Sequence, residues 1–339
     1  MFEQKVLRYC LTGMLFLAAG LPPSRATAKV IRYHSGSAED VNPTLMGPAY
    51  DLGGGGTDVK AALQWMVDRV RGSATVDVVV LRADDSDSYN SALMHMHGVN
   101  SVETLVITDR ADSNTTEVEA TIRKAEVVFF AGGSQCHYVK YFKGTKVESA
   151  IKSVIARGGA VGGTSAGCAI MGSLVYDGCG SSHKENMSSR KALSDPFDSG
   201  ITFTSNFFEW PQLKGVITDT HFVTRDRMGR TLAFLAREII EGKAEQLLGV
   251  AVNEKTSIVV DKDGVGRVMG RGPVYVILAD HTPEVCRPRK PLTYKGYKIW
   301  KLEPGQTFDF AHRRNTGFYL RSVVHGVVSG DPYESDAAR

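Results

Sequence analysis

The stretch GGTSAGCAIMG, residues 162–172, holds a serine among small residues, and Gly163-Thr164-Ser165-Ala166-Gly167 fits the pattern G-x-S-x-G. Apolar Ala160-Val161 precede it and a second apolar run follows, as expected for a sharp turn from strand into helix. Small neighbours are required there, because larger side chains beside the turn would clash with the adjoining strand and helix. The following helix would aim N–H groups and its positive dipole end at the corner, so the Ala166 N–H is a natural oxyanion donor. A serine hydroxyl attacks a carbonyl only with a base beside it. Of nine histidines, His221 in GVITDTHFVTRDRMGR stands out, since it follows a strand that should end on the ligand-binding edge of a sheet. The plainer readings are a corner kept small for packing and a loop histidine satisfied by backbone.

The elements that would position these groups are legible as alternating patterns. VDVVVLRA near Val76, VETLVIT from Val102 and AEVVFFAGG from Ala125 read as buried strands. Helical spacing runs from Asp58 to Arg71, Glu117 to Lys124 and Lys146 to Arg157. After Ile217 come a helix from about Asp226 to Glu241 and strands near LLGVAVN, SIVVD and VYVIL. Such alternation predicts an α/β fold, a mostly parallel sheet with helices on both faces. The segment from Asp177 to Lys214 is weakly periodic and reads as an elaborate loop. From His281 onward the chain reads as a small β-rich C-terminal extension with a frayed end.

Residues 1–28 read as a secretory leader: Lys5 and Arg8, about a dozen mostly apolar residues, then Ala26-Thr27-Ala28 as a cleavage pattern. An uncleaved anchor is the alternative. The expected organisation is therefore a leader over 1–28, an α/β domain over 29–280 and the extension over 281–339, secreted or periplasmic. Losing Lys5, Arg8, Arg25 and Glu3 with the leader lowers the formal charge from +3 to +1. So small a charge offers no general footprint for nucleic acid or an anionic membrane. Without Cys10, four cysteines remain, Cys136, Cys168, Cys179 and Cys286, and they permit three pairings or none. No cysteine or histidine spacing calls for a metal, and no cofactor is expected. The Gly53–Gly56 run lacks the Gly-Lys-Ser/Thr of a phosphate loop. His95-Met96-His97, near Asp84, Asp85 and Asp87, reads as a polar loop rather than a metal site. Arg287–Lys290 reads as a solvated basic run.

Taken together, AEVVFFAGGSQ, AVGGTSAG and GVITDTHFVTRDRMGR, in that order, resemble the cyanophycinase and aspartyl dipeptidase (peptidase E) family of serine peptidases. The likeness runs from about Gly53 to Ile277 and is nearest to exported cyanophycinase-like members. The resemblance implies a flavodoxin-like or class I glutamine-amidotransferase-like fold and a Ser165–His221 dyad completed by a carboxylate. The family's Gly-Gly-Asp-Gln loop matches Gly132-Gly133-Ser134-Gln135, with a serine in place of the aspartate. It implies the Gly133 N–H as second oxyanion donor and Gln135 as a substrate contact. Family members place the acid in the loop after the elbow helix, where Glu185 is favoured over Asp177, Asp195 and Asp198. Asp219, two residues before His221 on the same strand face, is another candidate. Arg225, Arg227 and Arg230 match the arginines that follow the family's histidine and are expected to meet a substrate carboxylate. The expected activity is that of a peptidase or isopeptidase hydrolysing aspartyl peptides through an acyl-enzyme, with cyanophycin (β-Asp-Arg) as a candidate substrate. A non-catalytic binding protein and an amidohydrolase of another small substrate are the alternatives. The expected partner is a peptide or Asp-containing polymer; no nucleic acid or membrane is expected after leader cleavage, and a homodimer is compatible with the sequence.

Overall fold

Strand Val76–Arg82 shows why the chain forms a sheet covered on both sides. Val76, Val78 and Val80 pack into one apolar cluster with helix Lys60–Arg71, while Val79 and Leu81 pack into another. Period-two alternation with apolar residues on both faces requires a layer on each side. The structure, a computed structural model, describes residues 30–84, 89–180, 187–313 and 316–335. The leader read over 1–28 lies outside the described residues.

Five strands form the parallel heart of a nine-stranded sheet, in the spatial order Val99–Val106, Val76–Arg82, Val127–Phe130, Ala160–Thr164, Ala49–Gly53. Antiparallel strands flank it, Ile31–Gly36 on one side and Thr256–Val260, Val265–Gly270 and Thr307–Asp309 on the other. An eight-stranded sheet carries Val216–Asp219 parallel to Leu247–Val252, with Ala251 opposite Asp219. Residues of both sheets share one buried cluster, including Tyr50, Leu81 and Phe130 from the first and Val250, Val276 and Trp300 from the second. Helix Met228–Ile240 covers the outer face of the second sheet with Leu232 and Leu235. The α/β class and the strand-rich C-terminal region thus match the sequence reading.

Two details differ. The described residues 187–214 are more ordered than their weak periodicity suggested, with a short helix Ser189–Ser194 and a strand Phe203–Ser205. Both are too short to generate a readable repeat. The strands after His281 extend existing sheets: Tyr294–Leu302 pairs with Val274–Ala279, and Thr307–Asp309 with Val265–Gly270. They enter the shared cores through Tyr294, Tyr297 and Trp300.

Candidate active site

Ser165 sits where strand Ala160–Thr164 turns into helix Ala166–Ala169. Its backbone lies at φ 53°, ψ −116°, a region that costs a non-glycine residue about 1–3 kcal/mol. The surrounding glycines make that turn possible. A Cβ on Gly163 would come within 2.5 Å of the Gly167 carbonyl carbon, and one on Gly167 within 2.3 Å of the Phe130 oxygen.

His221 Nε2 lies 2.7 Å from Ser165 Oγ, and His221 Nδ1 lies 2.7 Å from Glu254 Oε1. An ionised carboxylate only accepts hydrogen bonds, so Nδ1 carries the proton and Nε2 offers its lone pair to the serine hydroxyl. The hydrogen bond from His221 holds Glu254 below the ordinary carboxylate value, and the charges of Arg225 and Lys255 act the same way. Burial pushes His221 below its ordinary 6.5; Glu254 opposes that shift, and Arg225 and Arg227 add to it. The imidazole is therefore neutral at pH 7, the form that can take a proton.

The Gly53–Gly56 run laces these segments together through its backbone. The carbonyl of Gly53 accepts from Ser165 N–H at 3.0 Å, that of Gly54 from His221 N–H at 2.8 Å, and that of Gly55 from Lys255 N–H at 2.9 Å. Gly54 N–H donates to the Thr256 carbonyl at 2.9 Å. On the other side, a Cβ on Gly132 would lie 3.6 Å from Ser165 Cβ, so the Gly132-Gly133 backbone passes against the serine. Gly133 has φ 144°, and a side chain there would strike Asp84 Oδ2 at 2.4 Å. Ala166 N–H opens its helix and so has no partner within it.

The acid is a correction. Glu185 lies outside the described residues, and the carboxylate on His221 Nδ1 is Glu254, which the sequence reading did not single out. The aspartates weighed earlier are committed elsewhere. Asp177 accepts from Cys179 N–H at 2.9 Å and from the Thr202 and Thr204 hydroxyls. Asp195 accepts from the Phe197 and Arg289 N–H groups, both at 3.0 Å, and Asp198 from Gly200 N–H at 2.9 Å. Asp219 is 3 % exposed and grips Arg230, with the Arg230 Nε 2.8 Å from Oδ2 and Nη2 on Oδ1. Thr231 Oγ1 adds a bond at 2.8 Å. Burial alone would raise the Asp219 pKa, but Arg230 and then Arg227 outweigh it and hold the carboxyl below its usual value.

This pairing also corrects the arginines. Arg230 is 2 % exposed and lies over the rings of Tyr176 and Phe234. Arg227, 6 % exposed, donates to the Thr220 carbonyl at 2.8 Å, and burial pushes its pKa down to about 10. Both act as scaffold beneath the strand end rather than as substrate contacts. Arg225 alone of the three is exposed, and its charge is felt by both His221 and Glu254. The helix begins at Met228 rather than Asp226. Gln135 is also turned inward: its Nε2 donates to the Tyr176 carbonyl at 2.9 Å. The adjacent Cys136 is disulfide-bonded to Cys179, leaving Cys168 and Cys286 as buried thiols. His95 meets the Ser91 carbonyl at 2.5 Å and His97 meets Arg71 at 2.8 Å, and no group of three metal-binding side chains occurs among the described residues.

The signal for Glu254 lies in strand pairing rather than in a local motif. It follows the buried strand Leu247–Val252, which runs parallel to Val216–Asp219, so both strands deliver their next residues to the same sheet edge.

Comparison with known proteins identifies the family. A cyanophycinase from Nostoc sp. (strain PCC 7120) is 28 % identical over 238 residues, which cover 68 % of this chain and 71 % of that protein. A cyanophycinase from Synechococcus elongatus is 29 % identical over 181 residues, covering 53 % of this chain and 50 % of its own. Among solved structures, a peptidase from an acI-B1 Actinobacterium superposes with a TM-score of 0.51 at 14 % identity, over 79 % of this chain and 98 % of its own, which supports the fold. The model of peptidase family S51 matches residues 52–268, a span that contains Ser165, His221 and Glu254 and makes up well over half of the sequence. The chain is a peptidase and belongs to family S51.

Proposed function

We propose that the chain is an exported serine peptidase that hydrolyses aspartyl peptides, cyanophycin among them, with Ser165 as nucleophile, His221 as general base and Glu254 as the orienting acid. The continuous 2.7 Å and 2.7 Å relay from Ser165 Oγ through His221 to Glu254, set on a strand-to-helix corner, carries this reading. Ser165 Oγ attacks the peptide carbonyl as its proton passes to His221 Nε2, and Glu254 stabilises the imidazolium. The Ala166 and Gly133 N–H groups stabilise the oxyanion. His221 returns the proton to the leaving amine, the C–N bond breaks, and water attacks the acyl-enzyme by the reverse relay. Arg225 is the cation placed to hold the substrate carboxylate by a two-point fork. The names of the curated relatives support the substrate class, and the apolar leader together with the Cys136–Cys179 disulfide supports export. Two assays test the reading. A fluorophosphonate probe should label the protein but not its Ser165→Ala variant, and the protein should clear a cyanophycin suspension. Absence of labelling would overturn the serine mechanism; labelling without clearing would overturn the substrate.

The acid limb of the kcat/KM profile should have its midpoint below the ordinary 6.5 of histidine, because the neutral imidazole is the active form and its pKa is lowered. Replacing Arg225 by Gln removes a cation that lowers that pKa, so the limb should move to higher pH. Arg225→Lys keeps the charge and should keep the limb, yet lose about tenfold in kcat/KM on aspartyl peptides and little on neutral ones. Equal losses on both substrates would make Arg225 structural.

A further inference from the structure

At the end of the strands away from Ser165 lies a second cleft of about 840 Å³. Gly215, just before the strand that leads toward His221, and Leu247, the first residue of the strand that leads toward Glu254, border it. Four cations line it, Lys214, Lys243, Lys262 and Arg313, against two carboxylates, Glu209 and Asp263. Among the described residues, none of the four cations is in an ion pair with a carboxylate, whereas other surface cations of the chain are, for example Arg69 with Asp261 and Lys298 with Asp280.

The cations stand on fixed backbone. The Lys214 carbonyl accepts from Arg313 Nη2 at 2.8 Å, the Lys262 carbonyl from Gln212 Nε2 at 2.9 Å, and Lys243 N–H donates to the Glu238 carbonyl at 3.0 Å. Ser173 Oγ accepts from Gly215 N–H at 2.9 Å and so holds the loop after Lys214. Arg313 is half-buried, and loss of water lowers its pKa, a shift that a bound anion would reverse. Excess positive charge inside a concave wall focuses the field and draws anions.

The remaining lining narrows the class of anion. The amides of Asn206 and Gln246 suit a peptide backbone, and Leu174, Leu247 and Phe310 form an apolar floor. Single-stranded nucleic acid needs exposed aromatic faces for stacking. The one aromatic residue in the lining, Phe310, is 5 % exposed and packs into the core. We propose that this cleft binds a carboxylate-rich polypeptide and tethers a long aspartate-rich chain while another part of it occupies the Ser165 site. The tethering role rests on the peptidase reading above; the binding does not.

The test uses the full chain carrying Ser165→Ala, so that no ligand is consumed, titrated with a polyaspartate several dozen residues long. Binding should weaken about tenfold or more in the added double variant Lys214→Glu/Lys262→Glu, and should weaken with rising ionic strength. Both lysines are exposed, so the double variant should keep the parent melting temperature. The milder Lys214→Gln/Lys262→Gln pair should show an intermediate loss if the double reversal does not fold. Undiminished affinity in the variants would overturn the site, and an oligodeoxythymidylate bound as tightly as polyaspartate would overturn the peptide class. With Ser165 restored, the reversal should raise KM for the polyaspartate chain and leave kcat/KM for an aspartyl dipeptide unchanged. If neither substrate is cleaved, the tethering role falls with the peptidase reading, while the titration still decides the binding site.

Discussion

Ser165→Ala should leave a folded protein whose kcat on its peptide substrate is lower by at least about 10³-fold. Alanine is small enough for the corner, where the clashes arise from side chains at positions 163 and 167. Its loss removes the acyl-enzyme route altogether, so any residual rate comes from binding and the oxyanion donors. His221→Gln should fall as far. The double variant should be little worse than either single one, because nucleophile and base act as one unit. Progress curves at high enzyme concentration, with the melting temperature as the control for folding, measure this. A Ser165→Ala protein with near-normal turnover would end the nucleophile assignment.

Glu254→Gln should lower kcat by about 10²- to 10⁴-fold with almost no change in stability. The amide keeps the shape but removes the charge that favours the imidazolium, and it can pair with the wrong tautomer of His221. Glu254 is partly exposed, with 27 % of its side chain open to solvent, so the fold does not depend on its charge. Asp219→Asn should do the opposite. It leaves Arg230 and Arg227 buried beside a neutral amide, which costs about 3–5 kcal/mol of stability when a buried pair is broken. The two variants, compared by melting temperature and by kcat per folded molecule, separate an acid that serves the base from an acid that serves the scaffold. A stable, inactive Asp219→Asn and a fully active Glu254→Gln would reverse the assignment.

Much of this was legible in the sequence because the signals were local. Ser165 announces itself within five residues, since the turn needs glycines at 163 and 167 for contacts only a few residues away or on the adjacent strand. The parallel strands were readable from β-branched runs, because strands buried on both faces need apolar residues on both sides of the pleat. The acid was not legible in this way. Glu254 follows His221 by 33 residues, and only the register of two parallel strands, Ala251 opposite Asp219, brings them to one edge. The arginines misled for a related reason. Three cations near a helix start invite an anion, and the sequence gives no hint that the anion for two of them is Asp219, lying beneath them in the core. The strands after His281 could be recognised, but their partners could not, since pairing is a property of the whole sheet.

The glycine run at 53–56 changes how relatives of this chain should be sorted. Gly55 has φ 92°, and a Cβ there would lie 2.4 Å from His221 Cε1 and 2.5 Å from Nε2. A single methyl at that position cannot coexist with the imidazole where it now stands. A homologue can therefore retain the serine, the histidine and the glutamate, look intact by inspection of those three, and be inactive. In surveys for pseudoenzymes on this fold, the residue aligned with Gly55 has to be read together with the three side chains, because a clash there displaces the imidazole without changing any of them.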